Sequence, residues 1–155
     1  STPYAPADAS AFDHTVWTGP LDAWFGYEFG RLGYRTLDFE EFTVDGDFQG
    51  CPVMNYGDAD VPFTRITEFQ HFAAWEHHER SVCFREFPRA AEPGDIPYYP
   101  IRLARDQELL GNYASAAASA KDVTFLGRLG TYRYLDMDQS IAEALATADR
   151  LLAGG

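Results

Sequence analysis

Arg65 lies inside an apolar run, Pro62-Phe63-Thr64-Arg65-Ile66, shortly after Asn55-Tyr56. An arginine on the covered side of a sheet needs an anion, and its planar fork suits a diphosphate because it donates two bonds at once. The competing reading is a surface ion pair with Glu68 or another acidic neighbour. Pro97-Tyr98-Tyr99-Pro100 clamps two tyrosines between two prolines, so a phenol held there can donate its hydroxyl to a phosphate; simple packing of a loop on a sheet explains the same residues. From Gly127 to Gln139 the chain crowds Arg128, Tyr132, Arg133, Tyr134, Asp136 and Asp138 just ahead of a helical pattern. A helix start offers free backbone N–H groups and a positive dipole end, which suit an anion or an electron-rich ring. Glu76-His77-His78-Glu79, with His71 nearby, has the residue types of a metal site. Adjacent histidines point to different faces, however, and no His-x-x-x-His pair exists, so no metal site is expected.

The elements that must position these residues follow from periodicity. Residues 1–13 read as loop, with Pro3, Pro6, Asp8, Ser10 and Asp13 as breakers. His14–Trp17 is a short strand, and Pro20 opens a short helix near 20–29. Tyr34–Val44 reads as a strand in which Leu37 and Phe39, then Phe42 and Val44, alternate with a slip at Glu40-Glu41, as at a bulge or bend. Strands follow at Cys51–Tyr56, Phe63–Phe69 and Ser81–Phe87, separated by turn residues, which predicts a mostly antiparallel sheet. Ala104–Ala120 is a helix with Leu109, Leu110, Tyr113 and Ala117 on one stripe, and Asp122–Gly127 is a short strand. Asp138–Leu152 is the clearest helix, with Ile141, Leu145, Ala148 and Leu152 along one face, Asp136 or Asp138 as its cap, and Gly154-Gly155 as its stop. The fold class is therefore α+β: an antiparallel sheet region over residues 1–103, then helix–strand–helix over 104–155.

Composition bounds what such a fold can do. A chain of 155 residues is one ordinary domain's length and buries a real core. Its 12 Phe, 9 Tyr and 3 Trp serve sheet packing and can also stack a base or a flavin ring. The net charge of −12 argues against nucleic acid, which needs a basic patch. Two cysteines make no disulfide framework. No run approaches the ~20 apolar residues of a membrane span and no signal peptide is read, so no membrane and a cytoplasmic setting are expected. The opening Ser1-Thr2-Pro3-Tyr4-Ala5-Pro6 reads like the middle of a protein, so a fragment or processed product is expected. There is no glycine-x-serine-x-glycine elbow, P-loop, paired CxxC or G-x-G-x-x-G fingerprint.

In this order, the motifs resemble the UDP-galactopyranose mutase family. His14 to Phe25 is similar to its "YTGPIDxFF" segment, Gly33 to Glu40 to "YRSLxFE", and Phe48-Gln49-Gly50 with Val53-Met54-Asn55-Tyr56 to "FQGNAVVNY". Pro62–Ile66, Pro97–Pro100 and Gly127–Asp138 continue the resemblance, which covers roughly residues 14 to 145. The resemblance implies an isomerase that interconverts UDP-galactopyranose and UDP-galactofuranose, with reduced FAD as the nucleophile. It implies that Arg65 contacts the diphosphate and helps stabilise the reduced flavin, that Tyr99 and Tyr134 donate hydroxyls to the diphosphate, and that Asn55 and Asp136 lie on the substrate side. It places Arg128 near the flavin, and Met137, Asp138, Gln139, Ser140 and Ile141 at the cofactor; Arg65 and Arg128 are the expected catalytic residues. The sheet becomes the part covering substrate and flavin, and residues 104–155 the part completing an FAD-binding α/β domain. The implied partner is UDP-galactose as substrate, and a homodimer of the complete enzyme is compatible with the family.

The departures bear on activity. The glycine fingerprint and the helical region that would hold uracil and a mobile arginine loop are not found, so the chain by itself is expected to be inactive. Cys51 stands where the family usually has Asn, and Gln70-His71 where it tends to show a His-Lys pair. The alternatives are a nucleotide-sugar binding module without catalysis, and a structural remnant. Flavin colour and UDP binding separate the three.

Overall fold

A computed structural model describes residues 6–101 and 106–153. After a 3-10 turn at Pro6–Ala11, the elements are β1 (Thr15–Trp17), α1 (Leu21–Trp24), β2 (Tyr34–Asp45), β3 (Val53–Asn55), β4 (Arg65–Glu68), β5 (Arg80–Ala90), β6 (Tyr99–Pro100), α2 (Asp106–Ser119), β7 (Val123–Phe125), α3 (Gly127–Gly130) and α4 (Met137–Ala153), with a second 3-10 turn at Phe69–Phe72. The α+β class with a mostly antiparallel sheet is what the alternating runs predict. The loop expected at residues 1–13 contains a 3-10 turn, and its first five residues lie outside the described ones, as do 102–105 and the terminal Gly154-Gly155. Two compact units divide the chain, Ser1–Arg35 with Ala91–Gly155, and Thr36–Ala90. These boundaries differ from the compositional break expected at 103/104.

In the first unit, β1 pairs with β7 in parallel, Val16 opposite Thr124, and the first residues of β2 pair with β6, Arg35 opposite Tyr99. Leu21, Leu32, Tyr34, Tyr113 and Tyr132 form the core, with Leu109, Leu110 and Ala117 of α2 packed against it. That is the stripe expected of α2. Buried Asp22 ties α1 to β2: its carboxylate accepts from the Leu32 N–H at 2.9 Å and the Tyr34 hydroxyl at 3.2 Å. Burial still raises its pKa beyond what those donors recover. Gly130 lets α3 approach β1, because a Cβ there would lie 2.7 Å from the Trp17 carbonyl oxygen.

The expected apolar face of α4 is turned outward: Ile141 is 59%, Leu145 64% and Leu152 82% exposed, and Ala148 is exposed too. The inward side is polar, with Thr147 buried and Arg133 held to Glu143 through both carboxylate oxygens at 2.8 and 2.6 Å. Periodicity shows which residues share a face, and it cannot show which face this chain covers.

In the second unit the strands lie in the order β3-β4-β5-β2, antiparallel where β3 meets β4 and β4 meets β5. β2 runs continuously from Tyr34 to Asp45, through Glu40-Glu41. Its even-numbered side carries Asp38 and Glu40, which pair with Arg89 at 2.8 Å and Arg85 at 3.0 Å on β5, and Phe42, under the Arg85 guanidinium at 4.2 Å. Phe39 is 48% exposed and meets Phe84 edge-on on the other side. These ion pairs, invisible to a hydrophobic count, link β2 to β5 across the sheet.

Candidate functional site

Three of the expected site residues come together in the first unit. Gly127, at φ 76°, ends β7 and turns the chain into α3, which carries Arg128. Arg128 donates through Nε and Nη2 to the Leu135 carbonyl at 3.2 and 2.6 Å. Its guanidinium carbon lies 4.8 Å from the Tyr99 ring centroid and 5.1 Å from that of Tyr134. The two rings stack at 6.1 Å with 22° between their planes. One delocalised cation thus spans two phenols, with its direction fixed by a backbone carbonyl. Tyr134 remains 62% exposed. Tyr132, singled out in the same loop, is structural: it is fully buried, and its hydroxyl donates to the Ile101 carbonyl at 2.6 Å or the Gly33 carbonyl at 2.7 Å.

Met137, Asp138, Gln139, Ser140 and Ile141 form the first turn of α4, all exposed except half-buried Ser140. Asp136 directly precedes the helix: its carbonyl accepts from the Ser140 N–H at 3.0 Å, and its own N–H donates to Gln139 Oε1 at 3.2 Å. That is half of a capping box. Of the two candidate caps, Asp136 is therefore the cap, and Asp138 sits inside the helix. Gln139→Ala, which removes the acceptor of the Asp136 N–H, is expected to cost about 1 kcal/mol of stability, and Asp138→Ala only a few tenths through the helix dipole. Thermal melts of the two variants check this, and equal losses would contradict the assignment.

Asn55 and Arg65 belong to the second unit and face each other across β3 and β4. Arg65 Nε donates to Asn55 Oδ1 at 3.0 Å. The ion-pair partner of Arg65 is Glu86, its opposite on β5, and not Glu68. At 3.8 Å, with Arg65 40% exposed, that pair is weak and leaves the guanidinium available. Only the strand register reveals Glu86, because it lies far along the sequence.

Glu68 lies on the opposite side of β4 and is fully buried. It accepts from the N–H groups of Phe48 and Gln49, both at 2.9 Å, and from Gln70 Nε2 at 2.8 Å. The sequence signal for it was the Phe48-Gln49-Gly50 turn, whose amides need an acceptor. Burial alone would raise this carboxyl's pKa; the Phe48 and Gln49 N–H groups outweigh it, so it titrates below an ordinary glutamate. With the folded value below the unfolded one, its stabilisation is complete above the unfolded value of about 4.3 and is lost as pH falls through the folded value. His71 Nε2 lies 3.4 Å from the same carboxylate and 3.3 Å from that of Asp47. Glu68→Gln is expected to destabilise the protein near neutrality and to flatten the fall in melting temperature on acidification. A parallel fall in both proteins would refute that contribution.

His77 and Glu79 join no metal-type cluster among the described residues; His78 pairs with Glu76 at 3.0 Å on the surface. Asp47, Glu68 and His71 do gather their ligand atoms within 4.8 Å. The backbone and amide donors on Glu68 already occupy its oxygens, which makes the group a loop anchor.

The first unit thus holds a cation laid on two stacked phenols and the second an arginine bonded to Asn55, and comparison with known proteins gives the family. Residues 3–134 match the sequence profile described as UDP-galactopyranose mutase. The chain is 58% identical over 150 residues to a probable UDP-galactopyranose mutase of Klebsiella pneumoniae, covering 97% of this chain and 39% of the relative. It is 49% identical over 138 residues to a dTDP-fucopyranose mutase of Escherichia coli, covering 88% and 37%. A UDP-galactopyranose mutase of Mycoplasma pneumoniae is 36% identical over 144 residues, covering 88% and 36%. The chain belongs to the UDP-galactopyranose mutase family. It spans less than two fifths of the length of these curated relatives. Among the described residues no helix is long and apolar enough to cross a membrane.

Proposed function

We propose that this chain is part of an isomerase that interconverts UDP-galactopyranose and UDP-galactofuranose, that it contributes the diphosphate grip and one side of an FAD site, and that it is inactive by itself. The observation that carries this reading is the Arg128 guanidinium laid across Tyr99 and Tyr134 in a chain of this family.

The donor set fits both ligands. In the first unit Tyr99 and Tyr134 would donate hydroxyls to the diphosphate, with Asp136 on the substrate side; in the second unit Arg65 would offer its guanidinium to a diphosphate, with Asn55 as its substrate-side neighbour. Arg128, a cation that cannot lose its proton, and the start of α4 from Met137 to Ile141 would face the cofactor and favour negative charge there. Reduced FAD, when bound, supplies the nucleophile for the anomeric carbon. The chain's own task is to take up charge as the diphosphate leaves and to return it for recapture. Positive groups fixed before the reaction do this without reorganising. The parallel pair β1 and β7 supports the further reading that residues 104–155 complete an FAD-binding α/β domain. Parallel sheets are covered on both faces, and α4 presents the exposed stripe Ile141, Leu145 and Leu152 for such burial.

The test is co-expression of this chain with the portion of the Klebsiella relative that it does not match. A yellow complex that forms UDP-galactofuranose under reducing conditions, with neither piece active by itself, is the expected result. Turnover by this chain with reduced FAD, or a flavin-loaded complex without turnover, would refute it. The 49% identity to a dTDP-fucopyranose mutase favours a second reading of the substrate, a thymidine sugar nucleotide, and the same assay with dTDP-fucopyranose decides between them.

A further inference from the structure

We propose that Glu68 is a positioning residue for Arg65: by anchoring the loop from Asp47 to Cys51 it sets the register of β3, and that register holds Asn55 against the Arg65 guanidinium. The inference rests on the proposed role of Arg65 at the diphosphate.

β3 is a three-residue strand at the edge of its sheet, exposed at every position. Such a strand has little packing of its own to fix its alignment. Its neighbouring loop supplies what it lacks. Glu68 gathers the amides of Phe48 and Gln49, while Asp47 Oδ1 accepts from the Gly50 N–H at 2.6 Å. Gln49 Nε2 then donates to the carbonyls of Cys51 at 2.9 Å and Ile66 at 3.2 Å, which staples the loop onto β4. The Glu68 N–H closes the ring by donating to the Pro52 carbonyl at 2.9 Å. The chain therefore enters β3 with Val53 opposite Thr67, Met54 opposite Ile66 and Asn55 opposite Arg65. A slip of one residue would turn Asn55 to the other face of the sheet and set an apolar Met54 or an aromatic Tyr56 opposite Arg65. Arg65 would lose the acceptor on its Nε and with it the fixed direction of its fork. Glu68 reaches Arg65 only through this path, since the two side chains lie on opposite sides of β4.

The experiment is a double-mutant cycle in the full-length enzyme, with Glu68→Gln, Arg65→Ala and the pair, read as Kd for UDP, as kcat and KM separately, and as the Arg65 side-chain Nε–Hε resonance. Glu68→Gln keeps the volume and sets an amide against backbone donors. It is expected to weaken UDP binding and raise KM at least about fivefold, by loss of a charge-assisted network, and to shift the Arg65 resonance. In the Arg65→Ala background the same change should alter UDP affinity less than about twofold, because neighbours acting through one path are not additive. An equal loss in both backgrounds, or an unmoved Arg65 resonance, overturns the proposal. If Glu68→Gln fails to fold, Gln49→Ala removes only the staple, and a shifted resonance there supports the path while an unmoved one refutes it. If Arg65→Ala leaves UDP affinity intact while Glu68→Gln still moves the resonance, the positioning stands and the diphosphate role of Arg65 falls.

Discussion

Arg65→Ala in the full-length enzyme is expected to lower kcat/KM at least about tenfold, equivalent to 1.4 kcal/mol of transition-state stabilisation. Arg65 has one firm neutral acceptor, Asn55, and one loose carboxylate, Glu86 at 3.8 Å. An exposed pair of that length contributes little stability, so the variant should fold. A charge-assisted bond to a diphosphate is worth roughly 1.5–3 kcal/mol, and the contact strengthens as the leaving group gains charge, so the loss should appear in kcat as well as in binding. Arg65→Lys should rescue only partly, because an ammonium cannot reproduce the two-pronged geometry. Arg85 is the control: it lies on the other side of the sheet, paired with Glu40 and stacked on Phe42. Equal, small effects of Arg65→Ala and Arg85→Ala would reduce Arg65 to a surface ion pair.

Gly130→Ala should cost about 1–3 kcal/mol of stability, as overpacking typically does, and Gly111→Ala should gain about 0.5–1 kcal/mol. The chemistry is identical and the surroundings differ. At Gly130 the new methyl would sit 2.7 Å from the Trp17 carbonyl oxygen, a backbone atom already held by the Leu126 N–H at 2.9 Å. Neither partner can swing away, so α3 must lift from β1 and carry Arg128 with it. At Gly111, within α2, an added Cβ meets nothing within 4 Å, and alanine only removes backbone freedom from the unfolded chain. Melting temperatures that move in the same direction would contradict this. Loss of UDP affinity in Gly130→Ala beyond that of an equally destabilised core variant would show that α3 transmits the shift to the site.

By itself the sequence determined the α+β class, the main strands, the α2 stripe and the family, because these depend on local alternation, turn residues and motif order. It also named Tyr99, Arg128 and Tyr134, since their residue types in a glycine-bounded loop already suit an anion and a ring. It could not tell that Arg128 lies across both phenols, because that geometry depends on the Leu135 carbonyl and on β6, which arrives from elsewhere in the chain. It offered Glu68 or another acidic neighbour as the ion-pair partner of Arg65 and could not single out Glu86, which comes opposite it only through the register of β4 on β5. It overlooked the burial of Glu68, since a carboxylate in a strand reads as exposed until the amides of Phe48 and Gln49 are brought over it. The face of α4 was likewise a tertiary decision. Amphipathicity identified Ile141, Leu145 and Leu152 as one stripe, yet the bonds of Arg133 to Glu143 and of Arg150 to Thr147 lie on the polar side and leave that stripe uncovered. Local pattern sets which side chains travel together; long-range pairing of backbone and charge sets where they end up.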